Sequence, residues 1–501
     1  MTSRAEKRCL LCSLPVLLLL AFILYAESFG HQWTLDDFPV IVDNPDVKSW
    51  AGFVQNSYAG RPLREFTFLL DHALFGLNPA GWHLQNILWH AVNAWLLLLL
   101  ALRLGAGRFA AWSAGLLFVV HPVAVEVVAN ISHRKDSLAL ASILLATLAY
   151  LRGMRPDSRR GLWLAGAFAL GLLGWTAKEN AVVLPLLWLG YEALFVPSEN
   201  WLLLRSPKLI LGIAAAGTAA FFFWYFGFGG LELHRQAMAP VLAKMTVYLE
   251  PGSIAPYLLM ALKSLTFMVG KLLWPLALTP EYVYAAPGGW FDPWVLVALT
   301  IIIGYVLLLC RAWRRRPMAA FALLWLGLFW LPTANLWPLS YFAADRYLYT
   351  PLAGLALLTP LVVERWCPGK NHLPVQVMAL LLFACALLSW QQNRVWATPL
   401  SLWSHAARVA PASTTARNNL GAAYLELGRL QEARDEFKQA AANFDNPMPW
   451  YNLGRVYEQL GDREQALFHY RAFLSFNDPA MATLAAQLRQ RLWRQYGIQV
   501  R

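Results

Sequence analysis

The stretch LLCSLPVLLLLAFILYAESFGHQWTLDD, residues 10–37, joins a long apolar run to two adjacent acids, Asp36 and Asp37. Segment 10–28 is long enough to span hydrocarbon, which takes about 20 residues of α-helix. Carboxylates placed just past such a span sit at the water boundary. There they stay ionised and can still face a lipid-borne substrate. Charge at that depth is costly, so its first reading is functional.

The apolar pattern recurs along the chain. Of 501 residues, 58% are hydrophobic, against about 45–50% in soluble domains. Runs of near-spanning length occur at 10–28, 85–104, 109–128, 137–152, 161–176, 180–196, 209–227, 258–276, 294–311, 318–335, 347–363 and 375–391. This is the pattern of an all-α, polytopic helical membrane domain, over residues 1–395. The 24 Trp suit interfacial belts. The net charge of +12 does not point to nucleic acid, because the basic residues fall between apolar runs and so read as topology determinants. Cys9, Cys12, Cys310, Cys367 and Cys385 all lie in or beside such runs. They indicate no disulfide framework, and the Cys9-x-x-Cys12 pair lacks the second pair that zinc would need. The basic-then-apolar N-terminus also has the shape of a signal peptide. An uncleaved anchor fits better, since it keeps the acidic pair at a membrane.

Basic groups give the orientation. Arg4, Lys7 and Arg8, then Arg103 and Arg108, then Arg152, Arg155, Arg159 and Arg160, then Arg205 and Lys208, then Arg311 and Arg314 to Arg316, then Arg365 and Lys370 are expected on the cytoplasmic side. Three apolar runs lie between Lys208 and Arg311, where an even number of crossings is required. The run 258–276 carries Lys263 and Lys271 on one face, so it is expected to be re-entrant or interfacial. The outcome is about eleven spans with the N-terminus inside and the C-terminal region outside. The acidic pair, loop 121–136, Lys178-Glu179 and Asp345-Arg346 then share the outer face.

After residue 400 the character changes. Asn419-Leu420-Gly421 recurs as Asn452-Leu453-Gly454, Tyr424 as Tyr457, Leu427-Gly428 as Leu460-Gly461 and Ala433 as Ala466. The constant offset is that of tetratricopeptide repeats, helix–turn–helix units of about 34 residues. Residues 400–501 are expected to hold two to three repeats on the outer side, with 401–412 as a partial unit and 480–497 as a cap. So short an array is expected to lean on the membrane domain.

The first outer loop, 29–84, carries most of the chemistry candidates. Adjacent residues in regular structure point apart. One of Asp36 and Asp37 can therefore face a site while the other caps or orients. Such a carboxylate serves as a general base, or as a ligand for a divalent cation (Mg or Mn) beside a phosphate. Arg61 has a planar fork suited to phosphate. His83 and His90 share a helix face, but their spacing of seven is not the four of helical metal ligands, which favours core or interfacial histidines. Farther on, His121 and Glu126 lead into His133, Arg134, Lys135 and Asp136. That cluster is too polar for packing alone. Lys178 with Glu179, and Asp345 with Arg346, are acid–base pairs at span ends. Arg134→Ala is expected to weaken donor use more than folding. No nucleophile triad, phosphate-binding glycine loop or metal-cage motif is visible.

The pieces DDFPVIVDNPDV (36–47), RPL (61–63), GLNPAGWHLQNILWHA (76–91), HPVAVEVVA (121–129), RKDSLA (134–139), AKEN (177–180) and DRYLY (345–349) run in order along the chain. With the repeats behind them, they resemble the transmembrane and tetratricopeptide-repeat O-mannosyltransferases and their bacterial relatives, glycosyltransferases of the GT-C type. His133 stands where that pattern has Gly, and the repeat array is shorter. The resemblance implies an inverting, polyprenyl-phosphate-sugar-dependent transferase. Asp36 and Asp37 would form its catalytic pair. Arg61, Arg134, Lys135, Lys178 and Arg346 would stand near the donor phosphate. The acceptor is protein Ser/Thr, or alternatively a lipid or glycan. Membrane lipid, and a protein bound by the repeats, are the other expected partners. A bacterial inner membrane with periplasmic repeats fits the short array. A non-enzymatic repeat scaffold is the remaining alternative.

Overall fold

A computed structural model describes residues 4–55, 61–155, 159–206, 255–283, 287–336, 339, 341–367, 372–442, 446–478 and 481–497. The apolar run 209–227 lies outside them. Helix α1 is Arg4–Tyr25, and a 3-10 turn carries it to Gly30. Segment 29–84, expected as the first outer loop, is not a plain loop. It contains α2 (Trp50–Gln55) and α3 (Pro62–Phe75). Next come α4 (Pro79–Arg103), α5 (Arg108–Val120) and the short α6 (Val125–Ala129). Helices α7 (Arg134–Gly153), α8 (Arg160–Ala177) and α9 (Leu184–Phe195) follow. After the undescribed stretch come α10 (Ala255–Leu273), α11 (Pro293–Arg315), α12 (Pro317–Trp330), α13 (Tyr349–Trp366) and α14 (Leu373–Val395).

Several starts are written locally. Asn78 accepts the amide of Ala80 ahead of Pro79, and Asp292 accepts that of Trp294 ahead of Pro293. In both, a capping side chain satisfies an orphan donor, and proline occupies a position whose amide is not needed.

Six helices are long and apolar enough to cross a membrane, or seven if the bent pair α5–α6 counts as one span. The chain is a multi-pass membrane protein. The expected eleven crossings are not reached by that criterion among the described residues. Helix α9 has 12 residues and α12 has 14, short for a crossing. The 109–128 run is not straight either. His121-Pro122 breaks it, and the halves bend by 50°, because proline removes a ladder donor and clashes with the preceding turn. Of the outer loop expected over 121–136, residues 121–134 are buried, mostly as short turns folded into the bundle, and α7 has begun by Arg134.

Packing rather than apolar transfer holds helices together in lipid. Inside the bundle, some polar groups bond across helices. His90 bonds the Tyr349 hydroxyl (3.0 Å) and the Val119 carbonyl (3.1 Å), and Asn93 donates to the Ser137 carbonyl (2.9 Å). His90 is thus a core histidine, as its spacing indicated.

Behind α14 come α15 (Pro399–Val409), α16 (Thr414–Glu426), α17 (Leu430–Ala441), α18 (Met448–Gln459), α19 (Arg463–Ser475) and α20 (Ala482–Tyr496). Helices α16 to α19 are two helix–turn–helix units. Gly421 lets α17 approach: a Cβ there would meet the Phe437 ring at 2.8 Å. Gly454 does the same for Tyr470 in the second unit. Asn452 donates to Asn418 at 3.0 Å, linking the two units.

The array starts beside the acidic pair. Gln32 donates its amide to the Ala397 carbonyl at 2.9 Å, Ser28 bonds Asn393 at 2.9 Å, and Arg394 pairs with Glu27 at 2.7 Å. The end of α1 and the end of α14 therefore lie together, and the repeats leave the bundle at the end that carries Asp36. The array also rests on the membrane domain. His405 bonds the Leu278 carbonyl at 3.0 Å, and Ser413 donates to Glu281 at 3.1 Å.

Candidate active site at the acidic pair

The chain turns sharply between α1 and α2. Leu35 has φ 50°, a left-handed conformation unusual for a branched side chain. This kink sends Asp36 and Asp37 in different directions. Asp37 points inward and is 0% exposed. Its Oδ2 accepts the Thr34 amide (3.1 Å), and its Oδ1 accepts the Ser132 amide (2.8 Å). Burial pushes its acid up to about 7 against those two bonds. Asn130 adds a bond to the Thr34 carbonyl at 3.5 Å. The 34–37 turn is thus fastened to the segment that opens α7.

Asp36 points outward, with 40% of its side chain exposed. Its Oδ2 lies 3.7 Å from Nε2 of His133. Partial burial works to raise its acid, but His133, Lys135 and Arg346 prevail and hold it below the usual carboxylate range. His133 is fully buried. Its Nδ1 faces Oε1 of Glu126 at 3.6 Å. Glu126 in turn accepts from the Arg346 guanidinium (2.6 Å) and from the Arg346 backbone amide (2.8 Å). Arg346 is stacked on Tyr341, with its guanidinium carbon 4.7 Å from the ring centre. Asp345, beside it, accepts the Tyr282 hydroxyl at 2.6 Å. Asp36, His133, Glu126 and Arg346 thus form one line running inward from the exposed acid.

The cations sort by how fully they are used. Arg134 is 0% exposed. It makes four hydrogen bonds, to Asn86, Thr67, Asp71 and the Trp82 carbonyl, and stacks over Phe68 at 4.9 Å. Its fork is occupied, so the phosphate reading of Arg134 does not suit its surroundings. It ties α3, α4 and α7 together instead. Lys178 pairs with the buried Asp136, joining the start of α7 to the end of α8. Arg61 pairs with exposed Glu179 at 3.2 Å and donates to the Ala177 carbonyl. Lys135 differs. It is partly buried, with no hydrogen bond or ion pair to any described residue. The charges that act on it are chiefly Arg61, Arg64 and Arg346, against Asp136.

His83 sits off this line, buried against the edge of His31 with ring centres 5.7 Å apart. His121 caps the turn after it, accepting the Val123 amide at 3.4 Å. In the sequence His133 stands out as one of a polar cluster and as a departure from a pattern, with no partner indicated for it. Asn130 and Ser132 carried no signal, because each matters through a contact distant in sequence.

The residues do not make a cation cage. Both oxygens of Asp37 serve backbone amides, which leaves Asp36 alone, and no group of three or more ligating side chains occurs among the described residues. Mg and Mn usually demand several oxygen ligands, so no step is derived through a metal.

Residues 414–442 and 449–478 match the tetratricopeptide-repeat family pattern. Relatives over most of the chain are protein O-mannosyl-transferases. Tmtc3 of Drosophila melanogaster is 25% identical over 92% of this chain and 58% of its own length. TMTC1 of Homo sapiens is 25% identical over 83% of this chain and 53% of its own. A shorter stretch, 34% of this chain, is 34% identical to Drosophila Tmtc1. The chain thus spans little more than half the length of the relatives it matches broadly. Among solved structures, the archaeal oligosaccharyltransferase AglB of Archaeoglobus fulgidus is similar with a TM-score of 0.44 and 12% identity, over 78% of this chain and 56% of that one.

Proposed function

We propose that this chain is an integral-membrane, inverting glycosyltransferase. It moves a sugar, mannose or another hexose, from a polyprenyl-phosphate donor to a hydroxyl of a protein Ser or Thr on the outer membrane face. The carrying observation is Asp36: a part-exposed carboxylate just past a membrane span, backed by buried His133 and Glu126. Lys135, without a partner among the described residues, stands close enough to act on it. The names of the relatives supply the sugar and the acceptor class.

The chemistry follows from the groups present. The acceptor oxygen attacks the anomeric carbon as the bond from that carbon to the phosphate oxygen breaks. The transition state is oxocarbenium-like. Asp36 takes the hydroxyl proton. Held below the usual carboxylate range, it stays ionised but is a weak base. It therefore works late, when bonding to the electron-poor carbon has made the attacking hydroxyl acidic. The lipid phosphate leaves with the bonding electrons, and Lys135 offers it a charge no other described group has claimed. Such pre-placed charge acts strongly where water is scarce.

The test is transfer in detergent from a polyprenyl-phosphate sugar to a Ser/Thr peptide, by wild type and Asp36→Asn. Transfer by wild type alone supports the reading. Transfer to a lipid or glycan but not to peptide moves the acceptor. No transfer across a panel of donors and acceptors turns the reading to a repeat-bearing membrane scaffold.

A further inference from the structure

We propose that His133 is a positioning residue for this reaction: a buried imidazole bridging Asp36 and Glu126 that fixes the direction of the Asp36 carboxylate. This rests on the reading of Asp36 as the base.

The geometry is specific. Both ring nitrogens of His133 face carboxylate oxygens, Nε2 toward Asp36 at 3.7 Å and Nδ1 toward Glu126 at 3.6 Å. Both contacts are at ion-pair rather than hydrogen-bond distance, neither nitrogen has a hydrogen-bond partner among the described residues, and the ring is fully buried. A neutral imidazole has one N–H and one lone pair. Between two carboxylates, the lone pair would face negative charge. An N–H aimed at either acid from these distances orients that carboxylate by charge.

The charged groups around the ring are Asp36, Glu126, Arg346 and Lys135. Glu126 is anchored at its far side by two bonds from Arg346. The inner end of the line is therefore rigid. The outer end, Asp36, is held by nothing else its side chain touches in the described residues beyond the His133 contact. Its neighbour Asp37 locks the backbone of the turn but not the Asp36 side chain. A base displaced by about 1 Å costs on the order of 10²-fold in rate, so this single contact matters.

A ring that merely fills space would make a different prediction from one that aims the base. His133→Gln keeps a donor for one carboxylate only. It is expected to lower kcat by about tenfold to a hundredfold, leave the KM for the lipid-phosphate donor within about twofold, and keep the thermal midpoint near that of wild type. His133→Ala leaves a ring-sized gap, and millimolar imidazole is expected to restore part of its kcat. A variant with wild-type kcat, or one whose loss lies wholly in KM, overturns the proposal.

A second readout needs no activity. With the ten histidines labelled at the ring nitrogens, the His133 signal is identified by its loss in His133→Ala. In wild type it is expected to report the carboxylate beside Nε2, so Asp36→Asn is expected to shift it. A His133 signal indifferent to Asp36→Asn refutes the bridge. If the bridge is seen but wild type transfers no sugar, the glycosyltransferase reading fails and the contact stands.

Discussion

Asp37 accepts the backbone amide of Ser132 at 2.8 Å, across 95 residues of sequence. This one bond seats the turn after the first helix onto the entry of α7. It is why Asp36 meets His133 at all. The acidic pair is thus divided: Asp37 builds the site and Asp36 faces it.

The two amide replacements should therefore differ. Asp36→Asn is expected to keep the thermal midpoint and lose about 10²–10⁴ in transfer rate, as loss of a general base does. Asp37→Asn keeps one acceptor oxygen but turns an NH2 toward a backbone amide. An unmatched buried group costs about 1–3 kcal/mol. That variant is expected to melt earlier and to expose the 31–47 turn to protease. Equal melting of both variants would refute the division.

Asp37 also sets a pH signature. Its acid is pushed up to about 7, so the folded chain holds a proton that the unfolded chain has already lost. Its contribution to stability is full below the ordinary carboxylate range and is lost as pH rises through about 7. The thermal midpoint is expected to fall from pH 5 to pH 8, and to fall less in Asp37→Asn. A steeper fall in the variant would reverse the sign and rule the account out.

Arg134 should behave as a structural tie. Arg134→Ala leaves Asp71 buried without its partner, and breaking such a pair costs about 3–5 kcal/mol. Low yield of folded protein is expected, whereas any folded fraction should bind donor normally. A stable Arg134→Ala protein with a raised donor KM would return Arg134 to the phosphate site.

Lys135 should show the opposite pattern. It has no partner to abandon among the described residues, so Lys135→Ala is expected to melt at or above the wild-type temperature. Its donor KM should rise about tenfold, the loss of roughly one charge-assisted contact to phosphate. Unchanged donor kinetics would remove it from the site.

The array and the acidic pair should lie on one membrane side. Reporter fusions after residue 450 and within 48–55 are expected to report the same side, and fusions at 313 the other. The Gln32 to Ala397 bond requires the first part. Opposite signals from 450 and 48–55 would contradict the fold.

The sequence by itself determined the class of the molecule. Apolar runs of spanning length announce membrane helices, because the bilayer leaves the backbone no other way to satisfy its polar groups. Repeats at a fixed offset announce helix pairs, because each unit buries small residues at the same places; Gly421 and Gly454 do this against Phe437 and Tyr470. The polar clusters, too, stood out as costly at membrane depth. What each charge touches was decided only in three dimensions. Arg134 and Lys135 are neighbours in sequence, yet one has its fork filled by α3 and α4 and the other has no partner among the described residues. Asp36 and Asp37 are likewise neighbours, and a left-handed Leu35 with a distant amide at Ser132 separates their roles. His133 gained its place from a carboxylate on either side, both far or differently placed along the chain. Sequence periodicity records which face a residue occupies, whereas the worth of a buried charge depends on the partners that fill its remaining donors and acceptors, and these arrive only with the tertiary fold.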